Sequence, residues 1–591
     1  MSESKRYLAA GLLIFLIILL NPLYYELIGY NNSSSSELDE QMQALPPEDL
    51  NEKGFSIKEP AALKSKTTKY QINSPSDQNL EIITPLYTAL LSNSSGGSLE
   101  RFSILEQDEL GKMKYLGQIE ESGEYNEDSP VQLILKNDSN LSCRPCIYDP
   151  DKDVYFNKAF NLQSVVINGQ QSKNIDSPKI TVNLGLNDSA TVAFKYTLET
   201  GQTITKTTVF YGKNYLIDHS YDLEGINSAE VAWMGGISPV EKKEYDDNPN
   251  TLVYYSQSGD RDYTSTLNEN EKLSRVIVQE KYPIDWVALR NKYFITSLIS
   301  RSRADYIVYS GENINYANRS LTPMFNFGLG YKNPAKIQTS MYMGPLEIDQ
   351  VNKSNASLST AMDFGWGPMK YIGMAILYFI KKIHYLFGLN YGLVLILFAC
   401  LMRLLTGPLT KKSFESTQKM QLLQPEIKKL QEKYKNDSSR MQRETMALYQ
   451  KHGANPLGGC LPMLIQMPVL ISLFQVFRYT IEFRNEPFFL WISDLSQPDI
   501  VFNLPFYIPL YGDGVAILPL VMGASLIMTM RISSATMDPA QKPMMYIMNI
   551  FFIVLFNTFP SGLNLYYTTY NFLNYFQQKK IKQNSFSKKI K

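Results

Sequence analysis

Apolar and polar positions are unevenly distributed along the 591-residue chain, and the split falls near residue 365. Before it lie one short apolar run and about 330 mostly polar residues; after it apolar runs dominate. The early run, Tyr7–Leu20, follows Lys5 and Arg6 and is closed by Asn21 and Pro22. A basic start followed by an apolar core is the pattern of an export signal. The usual small-x-small cleavage site is missing from Leu23–Ile28. The pattern therefore predicts an uncleaved signal anchor over 1–30, with its basic end in the cytoplasm and the following residues exported.

Residues 31–62 are rich in Ser, Asn, Glu and Pro and predict a disordered linker. From 63 to 350 the texture is β. Runs such as TVAFKYTLE, TKTTVFY, YLIDHSYDL and ADYIVYS alternate apolar with polar and are separated by Gly, Asn, Asp and Pro. That spacing predicts a large antiparallel sandwich. The polar part holds one histidine, His219, and neither a phosphate-binding loop nor a metalloprotease or nucleophile-elbow pattern. It reads as a binding or spacing module, not an enzyme, and paired acids such as Asp246-Asp247 read as turn residues. Cys143 and Cys146 form a CxxC without a second cysteine pair or clustered histidines, so they read as an incidental pair or a local disulfide, with no metal site. Cys400 and Cys460 sit in apolar runs as small core residues.

Residues 364–388 mix apolar residues with Lys370, Lys381, Lys382, His384 and several aromatics. This predicts an amphipathic helix on the membrane surface. Uncharged runs follow at 457–477, 515–530, 544–559 and 563–576, and Pro560-Ser561-Gly562 joins the last two as a tight hairpin. With the runs at 7–20 and from 391, the count is six spans, five of them in a core over 389–578. Between the second and third spans, residues 408–455 carry ten Lys and Arg against five Asp and Glu at helical spacing, broken at Asn436-Asp437-Ser438. They predict a cytoplasmic helical hairpin. Residues 478–512 return outside, with Phe488, Phe489, Leu490 and Trp491 as an interfacial anchor. The tail 579–591 holds six Lys and no acid, which places it inside. The net charge of zero averages these opposed parts.

The candidate chemistry is Arg403. The run YGLVLILFACLM before it is twelve residues, about 18 Å of helix, while a bilayer core is about 30 Å thick. The helix must continue past Arg403 to cross, which puts a guanidinium within the membrane. A charge there costs several kcal/mol unless water or a partner receives it. The bland alternative is a side chain that snorkels to lipid phosphates. None of the five C-terminal spans offers a carboxylate; their polar residues, among them Thr406, Gln466, Gln475 and Asn564, are neutral. That argues against a proton- or ion-coupled transporter. Ala399, Cys400, Thr406, Gly407 and Thr410 share the side of Arg403 and predict a roomy, hydrated recess. Short spans of 16 and 14 residues, at 515–530 and 563–576, imply a locally thinned bilayer. Together they suggest passage of polar polypeptide without an energy source.

From Asp363 to the end the residues resemble YidC-type membrane protein insertases of the Gram-negative form. The resemblance rests on DFGWGPM, MRLLTGPLTKKSFESTQKMQLLQPEIKKLQEKY, MALYQKHGANPLGGCLPMLIQMP, PFFLWISDLS, TMDPAQKPMM and FPSGLNLYY. It is weaker in the polar part, around Trp286–Ile299 and Tyr342–Leu346. It implies a β-supersandwich similar to sugar mutarotases, without a catalytic role or cofactor. It also implies a groove open to cytoplasm and lipid, lined by Arg403, with Gln466 and Tyr567 at substrate-contact positions; Thr406 and Gln475 are further candidates. The small polar residue often found one turn before the arginine is Ala399 here. The implied partners are nascent membrane proteins, the Sec translocon, membrane lipids, and ribosomes met by the basic tail and by the hairpin with Lys411, Lys412, Lys419, Lys428 and Lys429. DNA is not among them. The implied location is the bacterial inner membrane, with both termini cytoplasmic and 31–363 periplasmic. The rival reading is a channel or lipid-handling protein with a glycan-binding exported domain. The absence of a pore-like charged ring counts against it.

Overall fold

The computed structural model describes residues 78–590, apart from short stretches of which 136–142, 454–460 and 535–541 are the longest. The expected signal anchor, the linker and Cys460 lie outside the described residues. The chain divides between Ala361 and Met362 into two units, one β and one helical.

In the β unit a ten-stranded sheet and a six-stranded sheet carry most of the strands, beside a four-stranded sheet at the start. Strand Leu216–Leu223 pairs antiparallel with Thr203–Tyr211 on one side and Lys336–Pro345 on the other. Alternation is visible directly: Thr203–Tyr211 buries Ile204, Lys206, Thr208 and Phe210 and leaves the residues between them half-exposed. The six-stranded sheet packs its strand Arg319–Lys332 over Ile284–Arg290 of the larger sheet. Trp233 and Trp286 are fully buried in this unit. The expected all-antiparallel sandwich is corrected at one place. Strand Asn79–Ile83 pairs parallel with Lys179–Asn183. Alternation within a strand carries no information about a partner a hundred residues away.

The unit also runs further than 350. Arg301 donates to Ser354 O at 3.1 Å and Arg261 to Thr360 O at 2.9 Å, and Arg290 bonds Ala361 O, so three guanidinia, from the buried Arg290 to the exposed Arg301, hold the exit segment to the strands. Asp247, read from the sequence as a turn residue, does precede the short 3-10 turn Asn248–Asn250, and it is buried at 1% exposure. Its Oδ2 accepts from the amides of Val240 and Glu241 at 2.9 and 2.8 Å and faces Arg319 Nη1 at 3.4 Å. Arg319 also bonds the Glu241 carbonyl. Asp246 lies outside the described residues.

Cys143 and Cys146 are joined in a buried disulfide. Beneath that loop lies Lys206, whose Nζ donates to Pro145 O at 2.7 Å and Gly97 O at 2.8 Å. Burial pushes its ammonium down to about 7. His219 beside it is a core histidine. Its Nδ1 lies 3.1 Å from Thr208 Oγ1, and burial, then Lys206, hold it well below the usual imidazole range. A lysine with a depressed pKa binds fewer protons folded than unfolded between pH 7 and its ordinary value of 10.5. Stability of the β unit therefore rises with pH across that window, by up to a few kcal/mol. Melting of the full-length protein in detergent from pH 7 to 10 is expected to show this rise, and Lys206→Met is expected to flatten it.

In the helical unit, helix α1 (Pro368–Phe387) starts with proline at its first position and stops at Gly388, whose φ of 59° suits glycine. It buries Gly373, Ile376, Leu377 and Ile380 and exposes Tyr371, Tyr378 and Tyr385, so the helix is amphipathic. Helix α2 (Tyr391–Leu422) runs unbroken through Pro408 for 32 residues. Helices α3 (Gln424–Lys433) and α4 (Ser438–Lys451) pack together, closed by Leu423 and Ile427 against Met420, Leu448 and Tyr449, while residues 408–422 of the stretch expected as a hairpin continue α2. The sequence break there is the cap of α4: Asp437 accepts from Arg440 N. Then come α5 (Leu461–Tyr479), α6 (Ile517–Ser534), α7 (Lys542–Phe556) and α8 (Ser561–Ile590). Among the described residues one helix, Tyr391–Ser413, is long and apolar enough to cross a membrane; Ile517–Arg531 and Tyr546–Phe556 are shorter apolar helices. The stretch before α6, expected only to return outside the membrane, holds a β-ribbon, Ile500–Ile508 with Gly512–Ala516.

Candidate functional site

Arg403 sits twelve residues into the 23-residue apolar stretch of α2, about 18 Å from one end and 15 Å from the other. It is therefore near the middle of that stretch. The next two residues, Leu404 and Leu405, are exposed, while Arg403 is buried at 7% exposure. The guanidinium thus points away from the bare side of its helix, and snorkelling along that side is not its conformation.

Helix α8 receives it. Arg403 Nη1 lies 3.4 Å from Tyr570 Oη and 3.4 Å from Thr410 Oγ1, Nη2 bonds Gln577 Oε1, and the cation stands 5.4 Å from the centre of the Tyr570 ring. Thr406 Oγ1 closes the group at 3.0 Å from Tyr570 Oη. Every one of these partners is neutral, and among the described residues no carboxylate pairs with Arg403. Nε has no hydrogen-bond partner. The expected empty space beside Gly407 is occupied: Gln577 Nε2 donates to Gly407 O at 3.1 Å, and a Cβ at Gly407 would come within 3.3 Å of it. So small residues do make room at Arg403, and α8 fills it.

Tyr570 and Gln577 were not legible as candidates, although their spacing of seven puts both on one face of α8. The same face continues to Tyr566, whose ring lies 6.0 Å from Tyr570 and 5.6 Å from Phe398 of α2. Gln466 of α5 faces the hydroxyls of Tyr566 and Tyr567. Tyr567 is buried, edge-on to Phe556 and Tyr566 at 5.6 and 5.1 Å. Gln466 Nε2 and both hydroxyls are buried without a well-formed hydrogen bond. Under-satisfied polar groups in an apolar bundle leave attachment points for a polar guest. A row of neutral polar groups therefore leads from Gln466 and Tyr567 through Tyr566 and Tyr570 to Arg403 and Thr406.

Gln475 is not part of that row. It follows Gln466 by nine residues, about half a turn round the helix, and its side chain meets Gly365. Lys411, Lys412, Lys419, Lys428 and Lys429 are all exposed on α2 and α3.

Two family models match the chain: 60Kd inner membrane protein over residues 382–589 and YidC periplasmic domain over 157–376. A "Membrane protein insertase YidC" of Chloroherpeton thalassium is 32% identical over 86% of this chain and 83% of its own. The chain belongs to the YidC family. A YidC insertase of Chlorobaculum tepidum is 30% identical over 93% of this chain and 89% of its own. A YidC insertase crystal structure, titled as active and with the first transmembrane domain resolved, covers 83% of this chain and 90% of its own at 18% identity, with a TM-score of 0.33. YidC membership makes this an inner membrane protein with a periplasmic β-rich domain and a helical C-terminal region.

Proposed function

We propose that this YidC protein inserts nascent membrane proteins and assists their folding, receiving short polar tails in a hydrophilic groove around Arg403 without hydrolysing nucleotide. The observation that carries the reading is a guanidinium buried in the middle of an apolar helix with only neutral partners. A net positive charge held in low dielectric attracts a carboxylate strongly. The neutral hydrogen bonds it already makes are worth about 1 kcal/mol each, whereas charge-assisted ones are roughly twice as strong. An acidic tail can therefore displace Tyr570, Thr410 and Gln577 and take their place.

In this reading the chain crosses the membrane six times with both ends in the cytoplasm. The row from Gln466 and Tyr567 to Arg403 is the path of the tail. The exposed lysines of α2 and α3 and the basic end of α8 meet substrate and ribosome, and the Sec translocon and lipids are neighbours. A photo-crosslinking residue placed at Gln466 or Tyr567 is expected to capture a stalled nascent chain. One placed at Gln475, on the other side of α5, is expected to capture far less. Silence from both Gln466 and Tyr567 would move the path elsewhere.

A further inference from the structure

The helical unit carries an apolar surface that the groove does not use. Along the ribbon of Ile500–Ile508 and Gly512–Ala516, Val501, Phe502, Phe506, Tyr507, Ile508 and Leu510 are exposed, with Phe502, Phe506 and Tyr507 at 62%, 60% and 70%. They follow one another instead of alternating, because the register shifts between Ile500 and Phe502 and again between Asn503 and Ile508. Broken alternation points apolar side chains in several directions. Asp513 is the only charged residue from 500 to 516.

The ribbon is firmly rooted. Asn557, buried just after α7, donates to Tyr511 O and Gly514 O at 2.7 Å each, and its Oδ1 accepts from Ala516 N at 3.0 Å. Asp499 at the base accepts from Trp491 Nε1 at 2.9 Å and from Leu518 N, in the first turn of α6, at 2.8 Å. The second strand ends at Ala516 and α6 begins at Ile517.

A two-stranded ribbon is marginal in water alone, and a contiguous apolar patch marks a contact surface. We propose that the ribbon 500–516 dips into the outer leaflet at the boundary of headgroups and acyl chains, as a lipid anchor in addition to α1. A protein partner would cover one face; a fluid wraps side chains that point several ways. Depth follows from two constraints. The open edges of a two-stranded ribbon carry backbone groups that hydrocarbon does not satisfy, so it stops short of the core. Its direct continuity with apolar α6 holds its base at the mouth of that helix. Aromatic residues favour this depth, and α1 exposes the same chemistry through Tyr371, Tyr378, Tyr385 and Phe387. The proposal rests on reading α6 as a span.

The test uses the full-length protein with Cys400 and Cys460 replaced by alanine, reconstituted into phosphatidylcholine–phosphatidylglycerol vesicles. An environment-sensitive fluorophore is attached through Phe506→Cys, Tyr507→Cys or Ile527→Cys. Nitroxide lipids labelled near the headgroup are expected to remove about half of the fluorescence at 506 and 507, with a smaller loss from mid-chain nitroxides. At 527, ten residues or about 15 Å into α6 and exposed on it, the order is expected to reverse. Quenching at 527 with none at 506 and 507 overturns the anchor and leaves the span standing. No quenching at any of the three overturns the span itself. Crosslinks from 506 to residues 1–30, to the β unit or to a second copy, in place of quenching, also overturn the anchor.

Discussion

Arg403→Ala is expected to lower insertion of a single-span substrate with an acidic exported tail by about tenfold, the equivalent of ~1.4 kcal/mol of lost attraction. The argument is electrostatic. Among the described residues the guanidinium has no carboxylate partner, and its neutral contacts come from Thr410, Tyr570 and Gln577. Removing it deletes the only charge in the polar row. Arg403→Lys keeps the charge and loses the planar fork, so it should retain more insertion than alanine does. Gln577→Ala separates the two contributions. It frees one nitrogen of the guanidinium but leaves the charge in place, and insertion should stay close to normal. Protease protection of pulse-labelled substrate, in depleted cells carrying each variant at normal expression, reads all three. Normal insertion with Arg403→Ala would remove this residue from the mechanism.

The second large effect lies in the β unit and concerns stability. Asp247→Ala is expected to cost about 3–5 kcal/mol, because it leaves Arg319 buried beside two amides that have lost their acceptor. For a unit of this size that is a fall of roughly 10 °C in its melting transition. Asp247→Asn keeps an acceptor for Val240 N and Glu241 N and removes only the charge, so its loss should be smaller. Thermal unfolding of the full-length protein, followed by the near-UV signal of Trp233 and Trp286, measures both. An unchanged transition for Asp247→Ala would mean that the loop it anchors contributes nothing to the fold.

Much of this architecture was legible because two periodicities separate cleanly along the chain. Period-two alternation marked strands such as Thr203–Tyr211, and a basic helical stretch broken at Asn436–Ser438 pointed to two helices, while the capping role of Asp437 came only with the structure. Arg403 stood out because a charge inside an apolar run is costly. What stayed hidden depended on partners distant in sequence. The parallel pairing of Asn79–Ile83 with Lys179–Asn183, the burial of Asp247 under Arg319, and the filling of the space at Gly407 by Gln577 each join residues 72 or more positions apart. The ribbon at 500–516 was masked differently. Its apolar residues follow one another without period-two alternation, so no strand is read there, and the register shifts explain why. Gln475 was grouped with Gln466 by residue type, where helix geometry separates them.

The most direct test of insertion without nucleotide hydrolysis is reconstitution. Purified protein in liposomes is mixed with a released single-span substrate bearing an acidic tail, after nucleotide has been removed. The account predicts a protease-protected tail fragment well above that in empty liposomes, with no ion conductance before substrate is added. Protection no greater than in empty liposomes, or conductance in the absence of any nascent chain, would contradict it.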